Sequence, residues 1–310
     1  MIQKITNYGI DHYTLIVPNA KEISDFHENV LGYKFLKNIL VNAGSAPKGQ
    51  HDMLNYVLSW PYSKQGVMVV TEGLTKESIF HKFMTKFGQG IHHIAFEIEN
   101  IQKVFENLKE NNIELTSDQL LRDPLNGLKQ FFISNKYLGI FIELIERKAE
   151  DDNKSETEEQ GFFTQDNMSG LAKTMDSYLE SSVKEDSNIK DLDKTIYHSS
   201  SNEIKINQIK ALELFPDDIS IASQFLKDVF GFIENENGLY NPSEPEVNFI
   251  LNKTNNLKQG VIPAKLILNT TNPTNGSKVL DNLGLDFNKN NNDIDLDITY
   301  SGYPLTISSL

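Results

Sequence analysis

The apolar pattern of the first 148 residues alternates between strand-like runs and short amphipathic helices. GIDHYTLIV, from Gly9, and GIHHIAFEI, from Gly90, are rich in apolar and β-branched residues, and a segment with helical periodicity follows each of them. Three further strand patterns follow each of these helices. The order βαβββ therefore occurs twice, which predicts a domain of two repeated modules over residues 1–148.

The rest of the chain predicts a polar connection and then a second domain. Residues 149–203 contain an acidic run, which is typical of a solvated linker, and the pattern GFFTQDNMSGL, from Gly161, which we expect to form a turn that leads into a helix. Residues 204–310 repeat the apolar pattern of the first domain in weaker form, with Gly231 in the place of Gly32. The predicted fold class is α+β, with tandem βαβββ modules and a degenerate second half.

Length and composition indicate a globular protein of two domains. The chain has 310 residues, of which 39% are hydrophobic and 23% are charged. No apolar run approaches the length of a membrane span, and the first residues lack the layout of a secretion signal, so we expect a soluble, cytoplasmic protein with no membrane partner. The net charge of −14 argues against a nucleic-acid partner, because the chain offers no basic patch for phosphates. The absence of cysteine excludes disulfides, thiolate zinc sites, iron–sulfur clusters and a cysteine nucleophile.

Three polar side chains interrupt strands that otherwise have the pattern of a protein core. They are His12 in the first strand, His93 in the first strand of the second module, and Glu143 in the strand GIFIELIER. Taken singly, either histidine is more simply a hydrogen-bonded core residue. A buried carboxylate, however, is costly unless it is paired, protonated or bound to a metal, and neutral imidazole suits divalent first-row metals. One cation would satisfy all three residues, so we predict that they form a metal site.

The weaker repeat offers an internal comparison for these candidates. The aligned patterns pair each of them with a residue of a different type: His12 with Ala211, His93 with Pro263, and Glu143 with Thr306. The joint loss favours one shared function over three independent structural roles. His92 precedes His93, and because side chains alternate along a strand we predict that it faces the other way. The remaining histidines show no partner pattern and are interpreted as surface or helix-face residues: His27, His51, His81 and His198.

These positions resemble the ligand pattern of the vicinal oxygen chelate superfamily, which includes glyoxalases and extradiol dioxygenases. In that superfamily paired βαβββ modules curl into an open barrel around one metal. The first strand of each module supplies one ligand and the last strand supplies a glutamate, which matches His12, His93 and Glu143. The resemblance covers residues 9–147 and, in weaker form, 205–310.

Within the superfamily, three segments are similar to the 4-hydroxyphenylpyruvate dioxygenase family. They are ELIER followed by GFFTQDNMSGL, the strand LKQFFI, and the spacing within ESIFHKFMTKFGQGIHHIAF. The resemblance implies that Gln130 contacts an acid or keto group of the substrate and that Phe132 covers one face of an aromatic ring. It also implies that Asn167 and Met168 close the pocket. No catalytic residue beyond the metal ligands is predicted.

The sequence departs from that family in the substrate pocket. Met168 stands where the family has a phenylalanine, and His92 stands where it has a glutamine. The family's polar residues for a phenol end fall near Thr71 and Ser78, and the metal-bearing half comes first instead of last. The resemblance therefore implies the ligand set but does not extend to the hydroxyphenylpyruvate substrate.

A facial set of two histidines and one carboxylate is the usual sign of non-haem Fe(II) oxygen chemistry. We therefore predict an Fe(II)-dependent dioxygenase that acts on a small 2-oxo acid or aromatic substrate together with dioxygen. The alternative metals are Mn, Co, Zn and Ni. The degenerate half is expected to serve as a scaffold, as the surface of a homodimer or as a second binding site.

Two other functions fit the same residues. A metal-dependent isomerase, epimerase or lyase of the glyoxalase or methylmalonyl-CoA epimerase type would use the metal to stabilise an enolate. Such enzymes commonly take a fourth ligand from the strand before the second histidine, where Glu72 and Gln65 are the nearest candidates. A non-catalytic protein that sequesters a small molecule would need none of the three ligands.

Overall fold

The computed structural model of the chain contains two eight-stranded sheets. It describes residues 2–62, 66–123, 127–147, 204–253, 261–291, 293–296 and 298–309. One sheet belongs to each half of the chain, which confirms the predicted α+β fold of repeated modules. The predicted linker and closing helix, residues 149–203, lie outside the described residues.

Among the described residues, the first half contains the elements of two βαβββ modules, with one helix connecting them. Their bounds are β1 (Asn7–Ile16), α1 (Ala20–Asn29), β2 (Lys34–Val41), β3 (Met53–Ser59), β4 (Val67–Gly73), α2 (Ile79–Phe87), β5 (Gly90–Ile98), α3 (Ile101–Glu110), β6 (Leu121–Arg122), β7 (Lys129–Ile133) and β8 (Phe141–Glu146).

The second half repeats the βαβββ order of each module, with one additional short helix before its last strand. Among its described residues no helix connects the two modules. Its elements are β9 (Ile206–Leu214), α4 (Ile219–Val229), β10 (Ile233–Asn235), β11 (Gly238–Asn241), β12 (Glu244–Leu251), β13 (Ala264–Thr270), α5 (Pro273–Asn282), β14 (Phe287–Asn290), β15 (Asp293–Leu296), α6 (Ile298–Ser301) and β16 (Leu305–Ser309). None of the helices in the described part of the chain has the length and apolar character needed to cross a bilayer.

The first strands of the two modules lie side by side at the centre of the first sheet. The strand order is β2-β3-β4-β1-β5-β8-β7-β6, in which β1 and β5 are antiparallel and β8 is parallel to β5. Side chains from β1, β5 and β8 can therefore meet on one face although they are far apart in sequence. The second sheet has the corresponding order, β10-β11-β12-β9-β13-β16-β15-β14.

Matching signals begin and end the first helix of each half. Asn19 caps α1 by accepting a hydrogen bond from the backbone nitrogen of Glu22 at 3.2 Å, and Asp218 caps α4 by accepting hydrogen bonds from two backbone nitrogens at 2.8 and 3.0 Å. After each helix a glycine has a positive φ, which is 73° at Gly32 and 70° at Gly231. These turns confirm the repeat that the apolar pattern predicted.

An aromatic cluster joins the two halves. The ring of Phe96 on β5 lies 5.5 Å from the ring of Phe230, 6.5 Å from that of Phe232 and 6.3 Å from that of Phe249, measured between centroids. All four side chains are buried. Because Phe96 comes from the first half and its three neighbours from the second, the apolar core is continuous across the junction.

A carboxylate of the second half also binds the backbone of β1. Oε2 of Glu244 accepts a hydrogen bond from the backbone nitrogen of Ile10 at 2.9 Å. The approach is close because Gly9 precedes Ile10: its φ is +101°, and a Cβ there would lie 3.0 Å from the same oxygen. On the same strand, the side chains of Asn7 and Asn241 share a hydrogen bond. The start of β1 is thus held by the partner half.

His27 of α1 is fully buried at the junction of the halves, so the prediction of a surface residue is wrong. Its Nδ1 lies 2.8 Å from the carbonyl oxygen of Ile23, and its Nε2 lies 3.2 Å from the hydroxyl of Tyr303. The ring of Tyr303 stacks on the imidazole, and the ring of Tyr33 meets it edge-on. Because burial disfavours the charged form, the pKa of His27 is lowered to about 4.

Folding stability is expected to fall as the pH is lowered from about 6.5 to about 4, because His27 becomes protonated in the unfolded chain but stays neutral in the folded protein over that range. Its contribution is fully present above pH ~6.5, and the loss reaches about 3 kcal/mol near pH ~4. Urea unfolding of wild type and His27→Gln across this range measures the effect. The free energy of unfolding should depend less steeply on pH in the variant than in wild type. His51→Gln, at an exposed position, is the control. Equal slopes for wild type and His27→Gln would contradict the prediction.

Candidate metal centre

The first sheet brings His12, His93 and Glu143 together on one face. His12 on β1 and Glu143 on β8 both stand opposite Ala95 of β5, one on each side, and His93 lies two residues before Ala95. Residues two apart on a strand, and residues directly opposite each other on neighbouring strands, point to the same side of a sheet. The topology therefore converts three distant sequence positions into one cluster.

One oxygen of Glu143 contacts both imidazoles. Its Oε2 lies 3.0 Å from Nε2 of His12 and 3.2 Å from Nε2 of His93. One donor atom from each of the three residues lies within 4.8 Å of the other two. The exposed fractions of the three residues, in chain order, are 0%, 3% and 1%. Within the described ranges, this is the cluster of metal-ligating side chains compact enough to hold one ion.

The donors fit a divalent first-row metal. Oε1 of Glu143 is buried and has no hydrogen-bond partner among the described residues, a costly state that a cation would relieve. Burial opposes ionisation of Glu143, but the charge of His12 and the contacts with both histidines lower its pKa, so the group is a carboxylate. Each histidine directs Nε2 at Glu143 while Nδ1 contacts another side chain. Two imidazole nitrogens and one carboxylate suit such a metal.

A β-bulge stands directly before each of the two histidines. In β1, the residues on either side of Asp11 pair with adjacent residues of β5, so Asp11 is an extra residue. In β5, the residues on either side of His92 pair with adjacent residues of β1, so His92 is extra too. A bulge re-aims side chains and interrupts their alternation along the strand. Asp11 and His92 consequently stay beside the histidines that follow them, His12 and His93.

Asp11 contacts His12 and is itself held by Arg147, which follows β8. Oδ1 of Asp11 lies 2.7 Å from Nδ1 of His12, and Arg147 donates to the carboxylate of Asp11 from Nη2 at 2.9 Å and from Nε at 3.2 Å. Burial would lower the pKa of His12, but the charge of Glu143 and the hydrogen bond with Asp11 raise it to about 9. Burial also opposes ionisation of Asp11, but its contacts with His12 and Arg147 lower its pKa to about 2.

His92 stays beside His93, so the prediction that it faces the other way is wrong. The Nδ1 atoms of the two rings lie 2.7 Å apart, and the ring centroids lie 5.0 Å apart. Burial lowers the pKa of both residues, which favours the neutral rings. One Nδ1 must then carry a hydrogen and the other must accept it. The bulge is the physical reason for the error, because alternation fails at an extra residue.

Two of the predicted substrate residues lie on β7, near the cluster. Phe132 stands opposite Glu143, and its ring meets the ring of His93 edge-on with the centroids 5.2 Å apart. Gln130 lies two residues earlier, so it shares that face. Gln130 is 1% exposed, and its Oε1 has no hydrogen-bond partner among the described residues. The other two predicted substrate residues, Asn167 and Met168, lie outside the described residues.

Thr71 and Ser78, the positions that match a phenol end in the resembling family, are both buried. Oγ1 of Thr71 donates to Oδ1 of Asn55 at 2.7 Å, and Nδ2 of Asn55 has no partner among the described residues. Thr71 lies four residues after Val67, which pairs with His12, so it shares the face of the cluster. This face therefore carries polar side chains from the first module as well as from the second.

Glu72, one of the two candidates for a fourth ligand, is engaged elsewhere. Its Oε2 accepts a hydrogen bond from the backbone nitrogen of Ala20 at 2.9 Å, at the start of α1. It follows Thr71 directly, so alternation places it on the opposite face. The second candidate, Gln65, lies outside the described residues.

The second sheet shows what replaces the three candidates in the degenerate half. Ala211 and Thr306 both stand opposite Ile267, which is the arrangement of His12 and Glu143 in the first sheet. These two correspondences agree with the alignment of the apolar patterns. The second half therefore has neither the first histidine nor the glutamate.

The correspondence of Pro263 with His93 is wrong. Lys265 lies two residues before Ile267 and takes that place, and it pairs with Glu213 as His93 pairs with Thr14. The glycine that suggested the alignment precedes β13, whereas Gly90 begins β5, and the bulge before His93 has no counterpart in β13. Nζ of Lys265 lies 2.9 Å from Oδ1 of Asp295, so an ion pair occupies this part of the second sheet.

Sequence reasoning missed Asp11 and Arg147 as neighbours of the cluster. A signal was present for Asp11, since it is a second polar residue inside a strand and directly precedes a candidate ligand. Arg147 ends the motif ELIER, four residues after Glu143. Neither signal can be interpreted unless the bulge is known, because regular alternation would place Asp11 on the opposite face of the sheet.

Comparisons with known proteins indicate the family to which the chain is related. Residues 9–134 match the model of the Glyoxalase/Bleomycin resistance protein/Dioxygenase superfamily. The uncharacterized protein YqjC of Bacillus subtilis (strain 168) is 32% identical over 148 residues, which are 47% of this chain and 98% of that protein. The 4-hydroxyphenylpyruvate dioxygenase of Yarrowia lipolytica (strain CLIB 122 / E 150) is 22% identical over 139 residues, and the chain spans only 34% of its length.

Two solved structures are similar to this chain to different extents. The 2,3-dioxygenase LapB from Pseudomonas sp. KL28 aligns over 100% of this chain and 94% of its own, with a TM-score of 0.54 and 11% identity. The methylmalonyl-CoA epimerase from Mycobacterium tuberculosis aligns over 48% of this chain and 94% of its own, with a TM-score of 0.40 and 21% identity. The likeness to LapB extends over both halves and concerns the fold alone.

Proposed function

This chain belongs to the glyoxalase/bleomycin resistance protein/dioxygenase superfamily, and from that premise we propose that it is a metal-dependent dioxygenase. Its metal is Fe(II), and the protein ligands are His12, His93 and Glu143. Its substrate is a small 2-oxo acid or an aromatic compound, which it uses together with dioxygen.

The convergence of three buried donors from three strands is the observation that carries the proposal. Glu143 is ionised and 1% exposed, and its Oε1 lacks a hydrogen-bond partner among the described residues. Isolated charges are not retained in a protein interior unless another charge or a metal offsets the cost of desolvation. The charge of His12 offsets part of that cost. A resident cation would do so too, and it would also satisfy Oε1 and account for both imidazoles.

The number of protein ligands supports oxygen chemistry. A metal that prefers six ligands keeps three positions open when two histidines and one carboxylate bind it on one face, and this is the usual arrangement of non-haem Fe(II) oxygenases. The bound metal would supply activation of dioxygen beside a chelating substrate. The sequence similarity to a 4-hydroxyphenylpyruvate dioxygenase supports the same class of reaction, although it covers only a third of that enzyme.

Gln130 and Phe132 orient the substrate in this proposal. The amide Nε2 of Gln130 can donate to a carboxylate or keto oxygen of a ligand. Its Oε1, which is buried without a partner among the described residues, can accept a hydrogen bond from a ligand hydroxyl. Phe132 is 1% exposed and lies against His93, so it would exclude water from the side of the site where His93 lies. Closure of the pocket by Asn167 and Met168 stays a prediction from the resemblance.

Oxygen uptake by protein loaded with Fe(II) under anaerobic conditions tests the proposal. A screen over 2-oxo acids and aromatic compounds is expected to find a substrate whose consumption of dioxygen requires Fe(II), with release of carbon dioxide when a 2-oxo acid is used. Gln130→Leu should raise KM for that substrate about 10-fold or more, because a buried hydrogen bond to a charged group is lost. Gln119→Leu, at an exposed position, is the control and should leave KM unchanged.

Two results would contradict the proposal. Exchange of solvent deuterium into a substrate, supported by Co or Ni in the absence of dioxygen, would assign the protein to the isomerase and epimerase class instead. A chain that binds no divalent metal would favour the non-catalytic function, in which the protein sequesters a small molecule.

A further inference from the structure

We propose that Asp11 and His92 are positioning residues that hold the imidazoles of His12 and His93 for metal binding through Nε2, and that Arg147 holds Asp11. The inference rests on the proposed metal centre. It assigns a function to the two β-bulges, each of which inserts one residue directly before a candidate ligand.

The carboxylate of Asp11 fixes the tautomer of His12. An ionised carboxylate can only accept hydrogen bonds, so its contact at 2.7 Å keeps a ring hydrogen on Nδ1. Nε2 is then the nitrogen that binds a metal, once the metal displaces the proton that Nε2 directs at Glu143. The two hydrogen bonds from Arg147 keep that carboxylate in place. Arg147 directly follows the strand that carries Glu143, so one segment supplies a ligand and also secures another ligand.

His92 performs the corresponding task for His93 with a neutral acceptor. For Nε2 of His93 to bind a metal, the hydrogen of that ring must lie on Nδ1, where it is donated to Nδ1 of His92 at 2.7 Å. The ring of His92 is fixed by Phe83, which it meets edge-on at 4.7 Å, and by Phe141 at 5.0 Å between centroids. The acceptor is therefore held rigidly by aromatic packing.

The degenerate half supplies an internal control. Its strand β9 keeps the bulge that corresponds to Asp11, but the extra residue is Lys210, whose Nζ donates to Oγ of Ser308 at 2.9 Å. The bulge that contains His92 is absent from β13, where Lys265 follows its neighbour without an extra residue. Where the ligands are missing, the carboxylate and the imidazole that would position them are missing as well.

The two positioning residues differ in charge, so their removal has unequal effects. Asp11→Ala is expected to weaken binding of Co(II) by about 10- to 100-fold, the range found when a partner of a ligating histidine is removed. His92→Leu removes a neutral acceptor and is expected to fall near the lower end, at about 10-fold. Asp11→Asn and His92→Gln keep an acceptor and should bind Co(II) more tightly than the matching apolar variants.

Co(II) titration of the full-length protein by calorimetry, with nitrogen NMR of the Zn(II)-loaded imidazoles, tests the inference. We expect the affinity for Co(II) to decrease from wild type to the conservative variants and further to the apolar variants. The affected histidine should no longer show a single Nδ1–H form. Arg147→Leu leaves Asp11 unaltered and should also weaken binding, which keeps the test decisive if Asp11→Ala does not fold. Asp25→Ala, which removes a helical ion pair with Lys21, is the control and should bind Co(II) like wild type.

Failure of the inference and failure of the metal centre give different results. If wild type binds Co(II), Glu143→Gln does not, and Asp11→Ala, His92→Leu and Arg147→Leu all match wild type, the positioning roles are overturned while the metal centre stands. If wild type binds Co(II) no better than Glu143→Gln, the metal centre itself is overturned and the positioning roles fall with it.

Discussion

Replacement of Glu143 by Gln is expected to lower the affinity for a divalent metal by more than about 100-fold and to abolish activity, because it removes the one anionic ligand of the proposed centre. Glutamine has nearly the same volume, so the buried site keeps its packing and the protein should remain folded. The effect should exceed that of Asp11→Ala, since Asp11 acts only through His12.

Thermal unfolding measures this difference without any need for a substrate. Metal at about 100 times the wild-type Kd should stabilise wild type by about 2.7 kcal/mol and raise its Tm by roughly 5 °C. At the same concentration Glu143→Gln should gain less than about 0.4 kcal/mol, which is a shift below about 1 °C. Glu114→Gln removes an exposed carboxylate that pairs with Lys136, and it should keep the wild-type shift. Binding by Glu143→Gln within about threefold of wild type would exclude Glu143 as a ligand.

Truncation of Phe96 to Ala is expected to reduce the free energy of unfolding by about 3–5 kcal/mol, the usual cost of deleting a buried phenylalanine ring. The ring is fully buried and contacts three phenylalanines of the second half, so its removal leaves a cavity that spans the junction. No shift of one half alone can close such a cavity without breaking contacts of the other half.

Chemical denaturation of wild type and Phe96→Ala measures the loss, and Phe35→Ala is the matched control. Phe35 is 38% exposed on the edge strand β2, so its truncation should cost less than about 1 kcal/mol. Phe96 alternates with Ala95 and faces away from the metal cluster, so affinity for metal should be unchanged under conditions where the variant is folded. A loss below about 1 kcal/mol for Phe96→Ala would show that the junction is not part of the cooperative core.

Much of this arrangement could be predicted from residue patterns because sheet topology is a consequence of repeated modules. Once GIDHYTLIV and GIHHIAFEI are recognised as equivalent first strands, their pairing at the sheet centre follows, and the parallel last strand of the second module comes next to them. The convergence of His12, His93 and Glu143 then follows from the period of two along each strand.

The environment of the cluster could not be predicted, because it depends on single-residue departures from that period. Nothing in the segments IDH or IHH distinguishes a bulge from a regular strand. Regular alternation therefore assigns His92 to the wrong face and gives Asp11 no role. Burial of His27 also depends on tertiary contacts, since Tyr303 reaches it from the other end of the chain. The pattern of α1 alone does not reveal which of its faces another half will cover.

Glu244 connects the second half to the proposed metal centre of the first half. Its carboxylate accepts a hydrogen bond from the backbone nitrogen of Ile10, the residue before Asp11. The position of the first bulge therefore depends on β12 of the second half. The second half, which has other residues in place of the three candidate ligands, thus helps to fix the backbone geometry of the first half. Selection on the second half would then preserve the position of its backbone, and its side chains would be free to vary wherever that position is kept.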